Sequence, residues 1–142
     1  MLSKPRGLSL RLLFSGIGEA RGSLITVYGL KTCDTCRKAL SWLGAEKIAH
    51  RFVDLRADGI TRADIARFAA AVGTDKLLNK ASTTWRGLSD SEKALASDAA
   101  AVALMERHPA LIKRPVFDVG GTVVVGFRDA EKAAVKAKAG KA

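Results

Sequence analysis

The sequence is short of cysteine, of aromatic residues and of long apolar runs, and each shortage excludes a class of protein. Two cysteines among 142 residues exclude a secreted framework of several disulfides and are typical of a cytoplasmic protein with reactive thiols. Aromatic residues make up 6% and do not alternate with basic ones, so a stacking surface for nucleic acid is not predicted. No apolar stretch approaches the roughly 18 residues of a membrane span, so we predict no association with a membrane.

Acidic residues are also scarce relative to basic ones. The 24 lysines and arginines outnumber the 14 aspartates and glutamates, which leaves a net charge of +10. Such an excess suits anionic substrates or partners, including glutathione, oxyanions and acidic protein surfaces. The length fits one folded domain, which we predict over 24–138, between a poorly ordered extension over 1–23 and a flexible tail over 139–142.

Hydrophobic periodicity predicts a β-α-β unit, a group of helices and a β-β-α unit, in that order. The first unit has strands over 24–29 and 50–55, and the second has a hairpin over 114–127 that turns at a glycine pair, then a helix over 129–139. A right-handed crossover makes the first two strands parallel, whereas the hairpin is antiparallel. We therefore predict an α/β, thioredoxin-like fold with an all-helical insertion over about 60–108.

The insertion shows clear signals for some of its helices only. Thr61 is a suitable N-cap for a helix that ends at Gly73, and another helix is predicted around 98–107. A third helix is predicted to begin at Ser91. The segment between Gly73 and Ser91 has no clean period, so we predict a loop around a short helical turn there.

The two cysteines, Cys33 and Cys36, stand between the first strand and the first helix. A cysteine reacts as its thiolate, and the backbone N–H groups and dipole at a helix start stabilise that anion. We expect an exposed thiol with a lowered pKa at Cys33, which makes it the candidate nucleophile. Cys36 follows three residues later on the same helix face, is expected to be more covered, and is the candidate resolving thiol.

Polar residues around the pair are candidates for stabilising the thiolate and binding its substrate. The cations of Lys31 and Arg37 favour the anion, whereas the carboxylate of Asp34 opposes it. The hydroxyls of Thr32 and Thr35 can donate hydrogen bonds to the sulfur. We therefore count Lys31, Thr32 and Thr35 as candidate substrate-binding residues.

Two other interpretations of the cysteine pair stay open. Free cysteines are often inert small core residues, an interpretation that suits Cys36 better than Cys33. Together with His50 and His108 the pair would form a zinc set of two cysteines and two histidines, but these histidines lack the short mutual spacing of zinc modules. We therefore predict no metal and no tightly bound cofactor.

Four segments are distinctive both in sequence and in order. They read "VYGLKTCDTCRKALSWL", "LLNKASTTWRGL", "ALMERHPALIKRPV" and "VVVGF". Together they resemble the ArsC/Spx superfamily, and in particular its YffB-like branch of arsenate reductase-related proteins. The resemblance spans about 24–135 and implies the same thioredoxin-like fold with a helical insertion.

The resemblance implies roles for residues that match the family's motifs. Cys33 corresponds to the nucleophile. Arg114 and Pro115 correspond to an Arg-Pro pair whose proline is cis and faces the cysteine. A guanidinium at that place can hold an oxyanion or a carboxylate through two parallel hydrogen bonds.

The segment "TTWR" occupies residues 83–86, within the insertion, where a loop could reach over the cysteine. Arg86 would then supply a second cation, Thr83 and Thr84 would donate hydrogen bonds, and Trp85 would pack against a bound thiol ligand. In the alternative interpretation Trp85 belongs to the core and Arg86 to the solvated surface.

The sequence also departs from the family's arsenate reductases. Those enzymes hold the oxyanion with further arginines and carry a histidine shortly before the cysteine. Here Asn79 replaces one arginine, Phe127 stands near the place of another, and no histidine precedes Cys33. The set of residues that would hold arsenate is therefore incomplete.

Three functions follow from the cysteine pair and the resemblance. The first is a glutathione-dependent thiol/disulfide reductase that uses Cys33 as nucleophile and glutathione as co-substrate. The second is an arsenate reductase linked to glutathione and glutaredoxin. The third is a Spx-like redox-sensing transcription regulator that binds RNA polymerase. It is considered because the "CDTC" segment of this chain resembles the redox switch of those regulators.

Overall fold

A computed structural model describes residues 25–139 of the chain. The extension predicted over 1–23 lies outside the described residues, and so does the tail predicted over 139–142 except for Ala139, which ends the last helix. The strands of the described part are Ile25–Gly29 (β1), His50–Asp54 (β2), Val116–Val119 (β3) and Thr122–Val125 (β4). Its helices are Asp34–Ala45 (α1), Arg62–Val72 (α2), Thr74–Leu77 (α3), Thr83–Arg86 (α4), Asp90–Lys93 (α5), Asp98–Arg107 (α6) and Asp129–Ala139 (α7), with a 3₁₀ turn at Pro109–Leu111.

The four strands form one mixed sheet in the order β2-β1-β3-β4. β1 is parallel to β2, whereas β1 with β3 and β3 with β4 are antiparallel. The parallel pair β1–β2 and the antiparallel hairpin β3–β4 agree with the predicted β-α-β and β-β-α units. β1 lies between β2 and β3. The chain that leaves the carboxyl end of β1 therefore starts from the interior of the sheet, and it leads directly to the two cysteines.

The hairpin between β3 and β4 turns at Gly120 and Gly121, as predicted. Both residues have positive φ angles, 59° and 95°, which a two-residue hairpin turn of the primed type requires. Val119 and Thr122 are the last pair of the ladder on either side of this turn.

The helices α2 and α6 of the insertion lie where the sequence predicted them. The Thr61 hydroxyl caps α2 by accepting from the Asp64 N–H at 3.1 Å. The helix predicted from Ser91 begins one residue earlier, because Ser89 and Glu92 cap its start as a capping box, and it spans a single turn.

The segment between Gly73 and Ser91 differs from its prediction. It contains two one-turn helices, α3 and α4, where a loop around one helical turn was expected. Ser82 starts α4, since its hydroxyl accepts from the Trp85 N–H at 3.1 Å. Such a cap acts over three residues and leaves no trace in hydrophobic periodicity.

Each face of the sheet carries its own hydrophobic core, because successive residues of a strand point to opposite faces. Tyr28 on β1 belongs to the core shared with the insertion helices, including Phe68 and Leu104. Val27 belongs to the core under α1 and α7, with Leu43 and Val135. Within residues 25–139 no helix is long and apolar enough to span a membrane.

Candidate active site

Cys33 lies at the junction of β1 and α1, as the sequence predicted. A tight turn leads into it, closed by a hydrogen bond from the Cys33 N–H to the Leu30 carbonyl oxygen at 3.0 Å. Cys33 is the N-cap of α1, and its own carbonyl accepts from the Arg37 N–H at 3.0 Å. Its thiol is half-buried, whereas that of Cys36 is fully buried, and both cysteines are free.

The environment of Cys33 favours its thiolate. Partial burial raises the pKa of the Cys33 thiol, but the other contributions outweigh it and lower the pKa overall. They come from the backbone N–H and the thiol of Cys36 and from the Arg114 guanidinium, whose donor groups and positive charge favour the anion. The direction agrees with the sequence prediction, but the donors come from Cys36 and Arg114.

Cys36 has the opposite environment. Burial raises the pKa of its thiol to about 11, with a further increase from the neighbouring Cys33, while a hydrogen bond with the Leu30 backbone lowers it in part. At neutral pH Cys36 is therefore a protonated thiol that can donate to the Cys33 sulfur. The two cysteines therefore differ: the Cys33 sulfur is suited to nucleophilic attack, whereas the Cys36 sulfur reacts only after it loses its proton.

Arg114 is held beside Cys33 by the segment that leads into β3. The Arg114–Pro115 bond is cis, as the family resemblance implied. Arg114 Nη1 donates to the carbonyl oxygens of Ala110 at 2.9 Å and Ile112 at 3.2 Å. Its Nε is buried with no hydrogen-bond partner among the described residues, and no carboxylate of that part of the chain forms an ion pair with it. The guanidinium thus acts on the Cys33 thiolate with a charge that no carboxylate of the described residues neutralises.

The polar residues adjacent to the cysteines in sequence contribute less than predicted. Arg37 forms an ion pair with Asp34 and donates to the Lys31 carbonyl oxygen at 3.2 Å, so the two opposite charges largely offset each other. The side chains of Lys31, Thr32 and Thr35 are exposed, and within residues 25–139 none of them hydrogen-bonds to the Cys33 sulfur. Their predicted role in binding the substrate stays a prediction.

The "TTWR" segment forms α4, which packs against the 3₁₀ turn that precedes Arg114. Arg86 is exposed, and its Nη1 donates to the Ala81 carbonyl oxygen at 2.8 Å. Trp85 is half-buried against the same core that Cys33 contacts, and Thr84 is half-buried beside it. The structure therefore places Trp85 against the core, while the Arg86 guanidinium donates within its own loop on the surface, as in the alternative interpretation.

The two positions that depart from arsenate reductases have roles outside the anion site. Asn79 donates its N–H to the Leu111 carbonyl oxygen at 2.7 Å, and its side-chain oxygen accepts from the Ala81 N–H at 3.0 Å. The Phe127 ring packs edge-on against Trp42, with 5.6 Å between centroids, on the α1 side of the sheet. Neither residue supplies a cation to the thiol.

Asp54 is a residue of this site that sequence reasoning missed. It ends β2, is only 5% exposed, and accepts three backbone hydrogen bonds, from Lys31 at 2.9 Å and from Arg56 and Ala57 at 2.8 Å each. Burial raises the pKa of the carboxyl, but these N–H groups and the Lys31 charge lower it overall. Its signal in the sequence is an aspartate at the carboxyl end of the strand next to the one that leads to Cys33.

The two histidines considered for zinc have other partners. His50 Nδ1 lies 2.8 Å from the Ile48 carbonyl oxygen, and His108 Nε2 lies 3.5 Å from a Glu92 carboxylate oxygen. Among residues 25–139 no group of three or more histidine, cysteine or acidic side chains could hold a metal ion.

The fold and this site define a thioredoxin-like protein built around a Cys-x-x-Cys thiol pair and a neighbouring arginine. Comparison with known proteins makes the assignment more specific. The ArsC family profile matches residues 28–135, so the chain belongs to the ArsC family. This confirms the predicted family and fold.

Individual relatives agree with that assignment. An uncharacterized protein of Haemophilus influenzae is 40% identical over 108 residues, which cover 76% of this chain and 95% of the relative. The solved structure of a protein named YffB is 42% identical with a TM-score of 0.74, covering 78% of this chain and 97% of that one. An arsenate reductase (ArsC) related protein from Brucella melitensis is 37% identical with a TM-score of 0.63, covering 78% and 92%. The transcriptional regulator Spx of Streptococcus pneumoniae is 26% identical over 111 residues, covering 76% and 82%.

Proposed function

We propose that the protein is a glutathione-dependent thiol/disulfide reductase with Cys33 as its nucleophile. The observation that carries this proposal is the position of Arg114, which lowers the pKa of the Cys33 thiol and forms no ion pair with a carboxylate of residues 25–139. A thiolate next to a cation that is not neutralised by the protein suits a substrate that is both a disulfide and an anion.

Glutathione meets both requirements, because it carries two carboxylates and forms mixed disulfides. Arg114 would attract one carboxylate through the positive charge of its guanidinium beside Cys33, and the exposed ammonium of Lys31 would attract the other. The net charge of +10 favours the approach of such an anion at low ionic strength.

The reaction then proceeds by two thiol–disulfide exchanges. The Cys33 thiolate attacks the glutathione sulfur of a mixed disulfide, and the substrate thiol leaves with both electrons of the broken S–S bond. The protein is left as a Cys33–glutathione disulfide. In one route a second glutathione thiolate attacks the bound glutathione sulfur, which forms oxidised glutathione and frees the Cys33 thiolate. In the other route Cys36, after losing its proton, attacks the Cys33 sulfur and expels glutathione as a thiol. This second route leaves a Cys33–Cys36 disulfide, which needs a dithiol or two glutathione molecules for its reduction.

A turnover assay tests this function. The reduced protein is mixed with glutathione and a peptide–glutathione mixed disulfide, and oxidised glutathione is followed with glutathione reductase and NADPH. We expect turnover that Cys33→Ser abolishes and that Arg114→Ala reduces through a higher KM for the glutathionylated peptide. Turnover no faster than that of Cys33→Ser would refute the proposal.

A redox-sensing regulator is the second candidate, favoured by the Cys33–Cys36 spacing together with the similarity to Spx. It predicts capture of the RNA polymerase α subunit by the protein in only one redox state. Equal capture, or none, with the reduced and the oxidised protein would exclude it.

Arsenate reduction belongs in the same set of assays. The B. melitensis relative carries the name arsenate reductase-related, and Arg114 is an arginine beside the nucleophile. Arsenate, glutathione and glutaredoxin are supplied to the wild type and to Cys33→Ser. Because Asn79 and Phe127 supply no cation where the arsenate reductases carry further arginines, we expect no Cys33-dependent reduction.

A further inference from the structure

The Asp54 carboxylate lies where two turns meet, and only one of them leads to the nucleophile. Its Oδ1 accepts from Arg56 and Ala57 in the turn after β2. Its Oδ2 accepts from the Lys31 N–H, in the turn that ends at Cys33. We propose that Asp54 is a positioning residue, which fixes the Leu30–Cys33 turn and thereby holds the Cys33 sulfur against its hydrogen-bond donors. This inference rests on the proposed role of Cys33 as nucleophile.

The geometry of the turn shows why an outside acceptor matters. The hydrogen bond from Cys33 N–H to Leu30 closes the turn, but the N–H of Lys31 has no acceptor within the turn itself. Asp54 provides that acceptor at 2.9 Å, just beyond the last contact between β1 and β2, where the Leu55 N–H donates to Gly29 at 2.8 Å. The start of the turn is thus tied to the sheet.

A carboxylate suits this place better than an amide. It presents two oxygens to three N–H donors, whereas asparagine has one oxygen and one NH₂ group. In Asp54→Asn the single oxygen can keep the contacts with Arg56 and Ala57, but the NH₂ group cannot accept from Lys31. The substitution therefore releases the turn before Cys33 while it preserves the turn after β2.

The charge of Asp54 has an effect of opposite sign, which makes the proposal testable. If Asp54 acted on Cys33 only as a nearby anion, its neutralisation would lower the pKa of the Cys33 thiol. If it holds the turn, its loss moves the sulfur away from the Cys36 N–H and Arg114, and the pKa rises. Asp34→Asn is the matched control, because Asp34 is also a carboxylate near Cys33 but 78% exposed and paired with Arg37.

The experiment measures the rate of Cys33 alkylation by iodoacetamide against pH, with the modified site located by mass spectrometry. We expect Asp54→Asn to raise the apparent pKa of Cys33 by about half a unit, the size of a lost helix-start interaction, and Asp34→Asn to lower it or leave it unchanged. A pKa for Asp54→Asn that is unchanged or lowered would overturn the proposal. A wild type with a lowered pKa but no glutathione turnover would refute the proposed function alone.

Hydrogen exchange on the wild type provides a test that does not depend on the folding of a variant. Lys31 has an exposed side chain, yet its amide is bound to a buried carboxylate. We expect its N–H to exchange at least tenfold more slowly than the N–H of Thr32, which has no acceptor among the described residues. Equal exchange of the two amides would contradict a fixed turn.

Discussion

Cys36 packs so closely against Gly29 that a Cβ atom on Gly29 would overlap the Cys36 sulfur. The same Cβ would lie 3.3 Å from the Cys36 Cβ and 3.4 Å from a ring carbon of Phe52. Glycine at the end of β1 therefore allows α1 to approach the sheet closely enough to bury Cys36 completely and to place its N–H and thiol under Cys33.

We predict that Gly29→Ala destabilises the protein by about 1–3 kcal/mol, the usual cost of an extra carbon in a well-packed core. Urea unfolding followed by circular dichroism measures the change. The matched control is Gly44→Ala in α1, where the added Cβ meets no atom within 4 Å. That substitution should stabilise the helix by about 0.5–1 kcal/mol.

The double variant Gly29→Ala/Cys36→Ala tests whether the sulfur causes the loss. Removing Sγ eliminates the overlap and leaves the tighter Cβ contact, so most of the stability lost in Gly29→Ala should return. Two results would contradict a close approach of Gly29 and Cys36. One is a Gly29→Ala protein as stable as Gly44→Ala, and the other is a double variant that regains none of the lost stability.

Arg114→Ala is predicted to raise the pKa of the Cys33 thiol by about one unit, because it removes both a hydrogen bond and a positive charge. The alkylation rate of Cys33 as a function of pH reports this shift. Arg62→Ala is the control, since Arg62 pairs with Glu106 on the insertion helices. A shift of equal size in both variants would show a general effect of net charge and would contradict a local role for Arg114.

Cys36→Ala is predicted to change the product that forms with oxidised glutathione. Wild-type protein can release glutathione by attack of Cys36 on the Cys33 mixed disulfide, whereas the variant cannot. Intact mass spectrometry should therefore show a persistent adduct of one glutathione on the variant and an internal disulfide in the wild type. A stable adduct in both proteins would mean that Cys36 does not resolve the intermediate.

Stability at alkaline pH is predicted to depend on Cys36. The pKa of Cys36 is about 11 in the folded protein, whereas an unfolded cysteine titrates near 8.5. Between these values the unfolded chain loses a proton that the folded chain keeps, so the free energy of unfolding falls as pH rises. Below this range both states hold the proton and the effect vanishes.

A Cys33→Ser background isolates this titration, because burial is the largest cause of the raised pKa of Cys36 and remains there. Urea unfolding at pH 8, 9 and 10 is compared between Cys33→Ser and Cys33→Ser/Cys36→Ala. We expect Cys33→Ser, which keeps Cys36, to lose more stability than Cys33→Ser/Cys36→Ala as pH rises. A difference that stays constant would mean that the folded thiol titrates normally.

The elements with strong local signals were predicted well. The short β-branched and aromatic run at β1, the Thr61 cap and the Gly120–Gly121 turn each depend on a few adjacent residues, and the structure agrees with all three. Between Gly73 and Ser91 one short helical turn was predicted and two are present. A single Ser82 cap starts α4, and a side-chain cap without an apolar stripe is a weak signal.

The predicted site also has features that local sequence determines and features that it does not. The place of Cys33 at a strand–helix junction follows from local sequence, and so does its lowered pKa in direction. The identity of the donors does not, since Arg114 is 81 positions away in the chain and reaches the thiol only because β3 lies beside β1. Arg86 was expected beside the thiol because of its positive charge, but its guanidinium donates to the Ala81 carbonyl oxygen in its own loop.

The sequence by itself determined the element order, the junction that carries the two cysteines and the family to which the chain belongs. These depend on short-range patterns, in which neighbouring residues constrain one another directly. Only the tertiary structure decided which charges act on the thiol, that Gly29 makes room for Cys36, and that Asp54 ties the turn before Cys33 to the sheet. Each of these is a contact between segments distant in sequence, and such contacts exist only once the sheet has set the register of its strands.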